Sequence, residues 1–243
     1  MAGDYVRRSV AEFVGTFALI FVGAGAVAFA RTTTDIALAN GLVIAVMVSA
    51  FAMISGGFFN PAVTLGFVVT RRIAAPLAIA YWIAQLGGAA LAALLLKWVL
   101  PSQAASGTHL GAPGLSGISS GKGVAVEAVL TFFLVWVVFA TAVDPRGSFK
   151  QIAGLAIGLT ITIDVFMGGP LTGAAMNPAR AFGPELLGNF WGEGWIYYLG
   201  PAIGALIAAM AYEYLYLRPL QPPVVGTPQS GVAEPRPGDT ALD

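Results

Sequence analysis

The stretch Ser55-Gly56-Gly57-Phe58-Phe59-Asn60-Pro61-Ala62-Val63-Thr64 decides the fold, because a second copy of its pattern follows later in the chain. That copy is Leu171-Thr172-Gly173-Ala174-Ala175-Met176-Asn177-Pro178-Ala179-Arg180. Asn is a favoured helix N-cap and Pro is favoured at the first helical position, so each copy predicts the start of a helix. About ten residues separate Pro61 from Arg71-Arg72, which gives about 15 Å of helix, half of a ~30 Å hydrocarbon core. Two such half-helices, meeting end to end, could cross a membrane together.

The composition of the chain places it in a membrane. Of its 243 residues 57% are hydrophobic and only 10% are charged, with a mean hydropathy of +0.80. A soluble domain carries about 25% charged residues, so this chain could not cover its surface with polar groups. The net charge of zero gives no electrostatic case for nucleic-acid binding. The absence of cysteine excludes disulfides and thiolate chemistry, and the single histidine, His109, lies in a loop rich in Gly, Ser and Pro. We expect no metal and no cofactor.

Apolar runs predict an all-α membrane protein of six spans and two re-entrant half-helices. The spans are predicted at about residues 10–30, 36–55, 76–100, 123–143, 149–167 and 195–217. The half-helices are predicted to end near residues 72 and 187, and Gly168-Gly169-Pro170 is predicted to break the fifth span. The basic start and small-residue end of the first run resemble a signal peptide, but the run is long enough to span a membrane and contains Glu12.

The chain consists of two similar halves. The stretch 11–17 matches 126–132, and Glu12 precedes Asn60 by nearly the same distance as Glu127 precedes Asn177. Three spans per half is an odd number, so the halves must have opposite orientations, as in an inverted repeat. We predict residues 1–8 as a cytoplasmic N-terminus, 9–217 as the membrane domain and 218–243 as a disordered tail. The two repeats cover about 9–100 and 122–217.

Basic residues predict the orientation. Seven Lys or Arg residues near helix ends fall on the side of the two termini and three on the other side. Positive charge concentrates on the cytoplasmic side, so both termini are predicted to be cytoplasmic, in the plasma (inner) membrane.

These motifs resemble those of the aquaporin (major intrinsic protein) family over roughly residues 5–217. The resemblance rests on Asn60-Pro61-Ala62-Val63-Thr64-Leu65-Gly66 and Asn177-Pro178-Ala179-Arg180-Ala181-Phe182-Gly183-Pro184, in phase with the repeat. It implies a homotetramer with one pore per subunit, through which water and other small uncharged solutes pass in either direction. The half-helix dipoles and the amides of Asn60 and Asn177 would orient water and refuse ions and protons.

The resemblance also implies an outer constriction of four residues, which fall here on Asn40, Val165, Ala174 and Arg180. Strict water channels resemble the pattern Phe, His, small residue, Arg, so Asn40 and Val165 predict a wider opening. Asn40 could instead be a buried amide bonded to a neighbouring helix. Phe58 replaces a histidine that the family often has at the inner pore mouth. Ala181 stands where glycerol facilitators usually have Asp.

Intramembrane carboxylates have two possible roles. Glu12 and Glu127 could carry protons or ions, or they could accept hydrogen bonds from the backbone of the two irregular loops. The resemblance favours loop support, with Gln85 in a similar role. Asp164 has no repeat partner and no assigned role.

Three classes of function therefore remain to be compared. A passive pore for water and other small uncharged solutes is favoured, and the alternative within this class is a pore mainly for glycerol, urea or a neutral metalloid acid such as arsenite. A gradient-coupled transporter is the second, because inverted repeats with broken helices also build transporters. A membrane enzyme is the third, and the chain offers no nucleophile–base or metal constellation for one.

Overall fold

The computed structural model describes residues 2–147 and 150–220. All regular structure in these residues is helical. Six helices are long and apolar enough to cross a membrane: α1 (Gly3–Val27), α2 (Thr33–Ser55), α4 (Ala75–Val99), α6 (Ser120–Val143), α7 (Ala153–Thr172) and α9 (Ile196–Leu217). Two half-helices, α3 (Pro61–Val69) and α8 (Pro178–Gly188), follow the two Asn-Pro-Ala motifs, and a short helix, α5 (Ser102–Gly107), lies in the loop after α4. The predicted fold class is confirmed.

The spans pack side by side both within each half and across the two halves. The largest contacts join α2 to α7, α6 to α9 and α1 to α4, while α8 packs on α4 and α3 packs on α9. Small residues allow the closest approaches: a Cβ added to Gly204 in α9 would lie 2.1 Å from the carbonyl oxygen of Ala128 in α6. Six spans place the start of α1 and the end of α9 on one side. We call that side the proximal face and the opposite side the distal face.

Both central loops begin at a glycine in the left-handed conformation. Gly56 ends α2 with φ of 100° and Gly173 ends α7 with φ of 82°. The predicted break at Gly168-Gly169-Pro170 is therefore wrong, because α7 continues through all three residues. A proline near a helix end removes only one backbone hydrogen bond, whereas a left-handed residue reverses the direction of the chain.

Several predicted boundaries are also wrong. The span α1 begins at Gly3 rather than Val10, and the α-helical turns extend to Ala2, so residues 2–8 are helical. Asp4 pairs with Arg7 and Arg8 at helical spacing, which supports this exposed first turn. α2 begins at Thr33, because Thr32 and Asp35 form a reciprocal capping box where a turn was expected. Of the predicted disordered tail, 218–220 form a 3₁₀ turn, and 221–243 lie outside the described residues.

An ion pair at the proximal face ties the first half-helix to the last span. Arg72, just after α3, donates from Nε and Nη2 to Glu213 Oε2 at 2.8 and 2.6 Å. Glu213 is only 5% exposed, so its charge is neutralised by Arg72 rather than by water. This contact fixes the outer end of α3 against α9.

Asp144 forms a second tie at the proximal face, where it follows α6. Its Oδ2 accepts from Arg146 Nη2 at 2.7 Å and from the Tyr212 hydroxyl of α9 at 3.0 Å. The hydrogen bond from the Arg146 side chain lowers the pKa of Asp144 well below its usual value. The carboxylate therefore joins the end of α6 to α9.

We expect the contribution of Asp144 to stability to disappear in acid. A carboxylate with a lowered pKa stabilises the folded state fully above its unfolded pKa of about 3.9 and loses that effect as pH falls toward its folded pKa. Asp144→Asn should lower the free energy of unfolding by about 1 kcal/mol at pH 7. Thermal unfolding of both proteins from pH 7 to pH 3 measures this. The difference in Tm should shrink below about pH 4, and a difference independent of pH would contradict the expectation.

Candidate functional site

The two asparagines meet at the centre of the molecule, each at the N-terminus of a half-helix. Asn60 Oδ1 accepts from the backbone N–H groups of Ala62 and Val63 at 2.8 and 3.4 Å. Asn177 Oδ1 accepts from Ala179 and Arg180 at 3.0 and 3.3 Å. Pro61 and Pro178 occupy the first helical positions. Both side-chain oxygens are thus committed to capping, which turns both amide nitrogens toward other partners.

Each asparagine amide also bonds the loop of the other repeat. Asn60 Nδ2 donates to the carbonyl oxygen of Met176, and Asn177 Nδ2 donates to that of Phe59, both at 2.9 Å. An amide nitrogen has two hydrogens, so one N–H of each asparagine is left for a molecule in the lumen. The exchanged bonds lock the two half-helices together with their positive ends adjacent.

The residues before the asparagines are in an uncommon backbone conformation. Phe59 has φ of 49° and Met176 has φ of 51°, in the left-handed region that non-glycine residues seldom adopt. Such residues cost of order 1–3 kcal/mol each and persist only where their surroundings hold them. Strong acceptors on the backbone N–H groups around Phe59 and Met176 are therefore needed to hold this conformation.

Glu12 and Glu127 supply those hydrogen bonds. Glu12 accepts from the N–H of Phe58 at 3.0 Å and of Phe59 at 2.6 Å. Glu127 accepts from the N–H of Ala175 at 3.0 Å and of Met176 at 2.7 Å. Both carboxylates are fully buried behind the loops. Their contacts are those of a loop support, and neither carboxylate lines the lumen.

Two further residues of each repeat complete the support, and the sequence reasoning missed them. The hydroxyls of Ser55 and Thr172 donate to Glu12 and Glu127 at 2.6 and 2.7 Å and accept from the backbone N–H two residues later. The hydroxyls of Tyr81 and Tyr197 donate to the carbonyl oxygens of Ser55 and Thr172. A signal was present in the sequence, because Ser55 and Thr172 each stand five residues before the asparagine.

Gln85 breaks the symmetry between the two repeats. Its Nε2 donates to Glu12 Oε2 at 2.8 Å and to the hydroxyl of Thr64 at 3.1 Å. In the second repeat Ala181 takes the place of Thr64 relative to the asparagine. Glu12 is thus held by four donors, and Glu127 by three in the part of the chain that the structure describes.

A narrow lumen runs past both asparagines, with a cavity volume of about 50 Å³. Asn60 and Asn177 line its middle, and apolar side chains form most of the remaining wall. These wall residues include Ile44, Val48, Val63, Leu134, Ile157 and Ile161. Phe58 lines the proximal part, where its ring centroid lies 4.3 Å from that of Phe67. A solute in this lumen meets very few polar groups, so Asn60, Asn177 and Arg180 are its main hydrogen-bond donors.

The structure divides the four predicted constriction residues between two spaces. Asn40, Ala174 and Arg180 line the lumen. Val165 lines a vestibule of about 180 Å³ at the distal face, together with Arg180. Arg180 borders both spaces and therefore marks the passage from the vestibule into the lumen.

Asn40 lines the lumen and also bonds a neighbouring helix. Its Nδ2 donates to the carbonyl oxygen of Gly23 at 3.2 Å and to that of Ile36 at 2.9 Å. Gly23 lies in a π-helical stretch of α1, Leu19–Ala24, and such stretches release carbonyl groups from the regular helix pattern. A Cβ at Gly23 would lie 2.3 Å from Asn40 Oδ1. These bonds hold the Asn40 amide against α1 at the wall of the lumen. An aromatic ring at position 40 would fill lumen space that the amide leaves open.

Arg180 is a buried cation with a backbone partner. It is 4% exposed, and its Nη1 donates to the carbonyl oxygen of Gly111 at 2.6 Å. Gly111 has φ of 77° and packs on Ala24, where a Cβ would lie 2.4 Å from the Ala24 carbonyl oxygen. The loop between α4 and α6 therefore positions the guanidinium at the distal end of the lumen.

The remaining titratable candidates lie away from the lumen. His109 is exposed and stacks on Phe190, with ring centroids 4.1 Å apart. Within residues 2–147 and 150–220, no three His, Cys, Asp or Glu side chains are grouped so that they could hold a metal ion. Asp164 is 3% exposed, and its Oδ2 has no hydrogen-bond partner among the described residues.

Comparison with known proteins agrees with this geometry. The family model described as "Major intrinsic protein" matches residues 2–212. "Probable aquaporin TIP3-2" of Arabidopsis thaliana is 43% identical over 237 residues, which cover 90% of this chain and 87% of that protein. "Aquaporin TIP4-4" of Zea mays is 43% identical, with 87% of each chain covered. The crystal structure of the aquaglyceroporin from Plasmodium falciparum matches the fold with a TM-score of 0.80, at 24% identity, over 89% of this chain and 98% of that one.

Proposed function

Because the chain belongs to the major intrinsic protein family, we propose that Asn40, Val165, Ala174 and Arg180 choose among the solutes that enter its lumen. The protein is an integral, multi-pass membrane channel that lets water and small uncharged solutes pass passively. The observation that carries the proposal is the position of Arg180, which lines both the vestibule and the lumen. A solute has to pass this guanidinium before it reaches the asparagines.

Ions and protons are refused at the centre of the lumen in this proposal. Two half-helix N-termini and the free N–H groups of Asn60 and Asn177 present positive potential there. The oxygen of a passing water accepts hydrogen bonds from these amides. A water held as an acceptor in this way does not readily relay a proton to its neighbours in the lumen. A cation finds mostly apolar walls and no groups to replace its hydration shell.

The wall at the filter supports permeation by more than water. Asn40 is held against α1 by Gly23, and Val165 lines the vestibule beside Arg180, and both side chains are smaller than the aromatic and imidazole rings they replace. We propose that urea, or a neutral metalloid acid such as arsenite, crosses with water. Glycerol as the main solute fits less well, because the curated relatives reported above are aquaporins.

Flux measurements in proteoliposomes test this function. We expect fast osmotic water flow with a low activation energy, no dependence on a proton or sodium gradient, and measurable swelling in urea. Empty liposomes are the control. A flux that requires a gradient would show a coupled transporter, and swelling by water alone would show that the filter is not widened.

Narrowing the filter should restore selectivity for water. Asn40→Phe with Val165→His adds two rings at the constriction, and we expect the ratio of urea to water permeability to fall about tenfold, which corresponds to about 1.4 kcal/mol of barrier. Stopped-flow light scattering of reconstituted protein measures both permeabilities. Ile163→Phe is a matched control, because Ile163 is an exposed residue of α7 away from the lumen. An unchanged ratio in the double variant would contradict the assignment.

The assembly, domain boundaries and location are further parts of the proposal. We propose a homotetramer, because the family resemblance implies it, with one pore per subunit, because a single chain encloses its own lumen. A monomer in native mass spectrometry would contradict the tetramer. We retain residues 9–217 as the channel domain, preceded by residues 1–8 and followed by a tail from residue 218, and limited proteolysis can test these boundaries. Positive charge on the proximal face supports cytoplasmic termini. We propose the plasma membrane as the location, and fluorescence of a tagged chain on internal membranes would contradict it.

A further inference from the structure

A second cavity at the distal face lies beside the pore rather than in it. It has a volume of about 190 Å³ and is bordered by the loop at Pro113–Leu115 and by the segment from Phe190 to Gly194. Pro113 and Gly114 also line the vestibule, so one loop wall separates the two spaces. Trp191, Gly192 and Glu193 are exposed, which opens the cavity to the solution. We call it the flanking cavity.

The flanking cavity contains a buried carboxylate with an oxygen that no protein group satisfies. Glu185, in α8, is 1% exposed. Its Oε2 accepts from the hydroxyl of Tyr198 at 3.0 Å, but Oε1 has no hydrogen-bond partner among the described residues. A buried carboxylate oxygen without a partner is costly, so a donor from outside the chain would relieve that cost.

Glycine at position 194 leaves room beside the unpartnered oxygen of Glu185, which is itself buried. A Cβ added to Gly194 would lie 2.8 Å from Glu185 Oε1 and 2.7 Å from the carbonyl oxygen of Trp191. A side chain at this position would therefore clash with both oxygens, of which the Trp191 carbonyl oxygen already accepts from the Gly194 N–H at 2.6 Å. Neither belongs to the water pathway, because Glu185 lines neither the lumen nor the vestibule.

Two carboxylates, Glu185 and Glu193, line the flanking cavity, and no Lys or Arg is among the described residues that line it. Glu193 Oε2 accepts from Ser120 Oγ at 2.8 Å and from Trp195 Nε1 at 3.0 Å. Arg180, the basic residue of α8, donates to the carbonyl oxygen of Gly111 and does not line the cavity. The rings of Phe190, Trp191 and Tyr197 form much of the wall. Carboxylates combined with aromatic faces suit an organic cation, whereas Ca²⁺ takes six to eight oxygen ligands.

We propose that the flanking cavity binds a small organic cation of the alkylammonium class. The ammonium group donates to Glu185 Oε1 and its alkyl part lies against the aromatic rings. The occupied cavity is separate from the lumen, so binding does not require permeation.

Titration of the purified full-length protein with ethylammonium chloride, against sodium chloride at equal ionic strength, tests the proposal. Trp191 lines the cavity and Trp195 adjoins it, so tryptophan fluorescence reports occupancy. We expect a saturable change, and at least about tenfold weaker binding in Glu185→Gln, because a charge-assisted hydrogen bond is lost. Asp164→Asn is the matched control, since Asp164 is also buried with a free oxygen but does not line the cavity, and it should bind as the wild type does.

Two comparisons separate the outcomes. Water permeability of Glu185→Gln should match the wild type, which shows that the variant is folded. Ethanol, a neutral molecule of similar size, should give no saturable change in the wild-type protein, and this arm needs no variant. Equal binding to Glu185→Gln, equal responses to ethanol and ethylammonium, or no saturable change in the wild type would each overturn the proposal while leaving the channel function untouched.

Discussion

Replacing Glu127 with alanine is expected to lower the free energy of unfolding by about 3 kcal/mol, because it leaves three buried donors without an acceptor at about 1 kcal/mol or more each. Those donors are the hydroxyl of Thr172 and the N–H groups of Ala175 and Met176. The strained backbone at Met176 loses its support at the same time. For a chain of this size we expect Tm to fall by about 6–12 °C and the water permeability per folded protein to collapse.

The conservative variant Glu127→Gln sharpens this prediction. Glutamine keeps one acceptor oxygen, so we expect about half the loss of stability. Glu193→Ala removes an exposed carboxylate that also accepts two hydrogen bonds, and it should leave both stability and permeability close to wild type. Thermal unfolding in detergent and stopped-flow water permeability measure both effects. If Glu127 instead carried protons, Glu127→Gln would alter a gradient-dependent flux and leave Tm unchanged.

Replacing Arg180 with alanine should have the largest effect on selectivity. The change removes a guanidinium that borders both vestibule and lumen, and it leaves the carbonyl oxygen of Gly111 without its donor. We expect urea permeability to rise about tenfold, or about 1.4 kcal/mol of barrier, with a smaller rise for water. A leak of monovalent cations should appear, because the fixed positive charge at the narrow end is gone.

Stopped-flow measurements of water and urea, with a fluorescent assay of cation entry, test this prediction. Arg146→Ala is the matched control, since Arg146 is a half-exposed arginine at the proximal face and does not line the lumen. Its permeabilities should equal those of the wild type. Unchanged urea flux and no cation leak in Arg180→Ala would mean that selection takes place elsewhere in the lumen.

The sequence alone determined the architecture, because its signals are local. Asn-Pro is a helix start wherever it occurs, and apolar runs of about 20 residues have few alternatives to a span. Each copy of the motif lies in a repeat of three spans. Because three is an odd number, the two repeats have opposite orientations, and the two half-helices enter the membrane from opposite faces. The set of residues at the centre followed from the same repeat, including Glu12 and Glu127.

Helix ends and partners were less predictable, because distant residues decide them. Gly168-Gly169-Pro170 has the composition of a break, yet α7 continues to Thr172, where Glu127 binds the threonine hydroxyl across 45 positions of sequence. The supporting roles of Tyr81 and Tyr197 likewise depend on packing against loops of their own repeats.

What the sequence determined, then, is that this chain crosses the membrane six times and brings Asn60 and Asn177 to one place, since both follow from periodicity and capping. Only the tertiary structure decided what each side chain does there. Asn40 is held against the wall by a carbonyl group that a π-helical stretch presents, and Val165 lies in the vestibule rather than in the lumen. Glu185 is left with a free oxygen in a cavity beside the pore. These outcomes depend on distances between helices that are far apart in the sequence, and no local pattern encodes them.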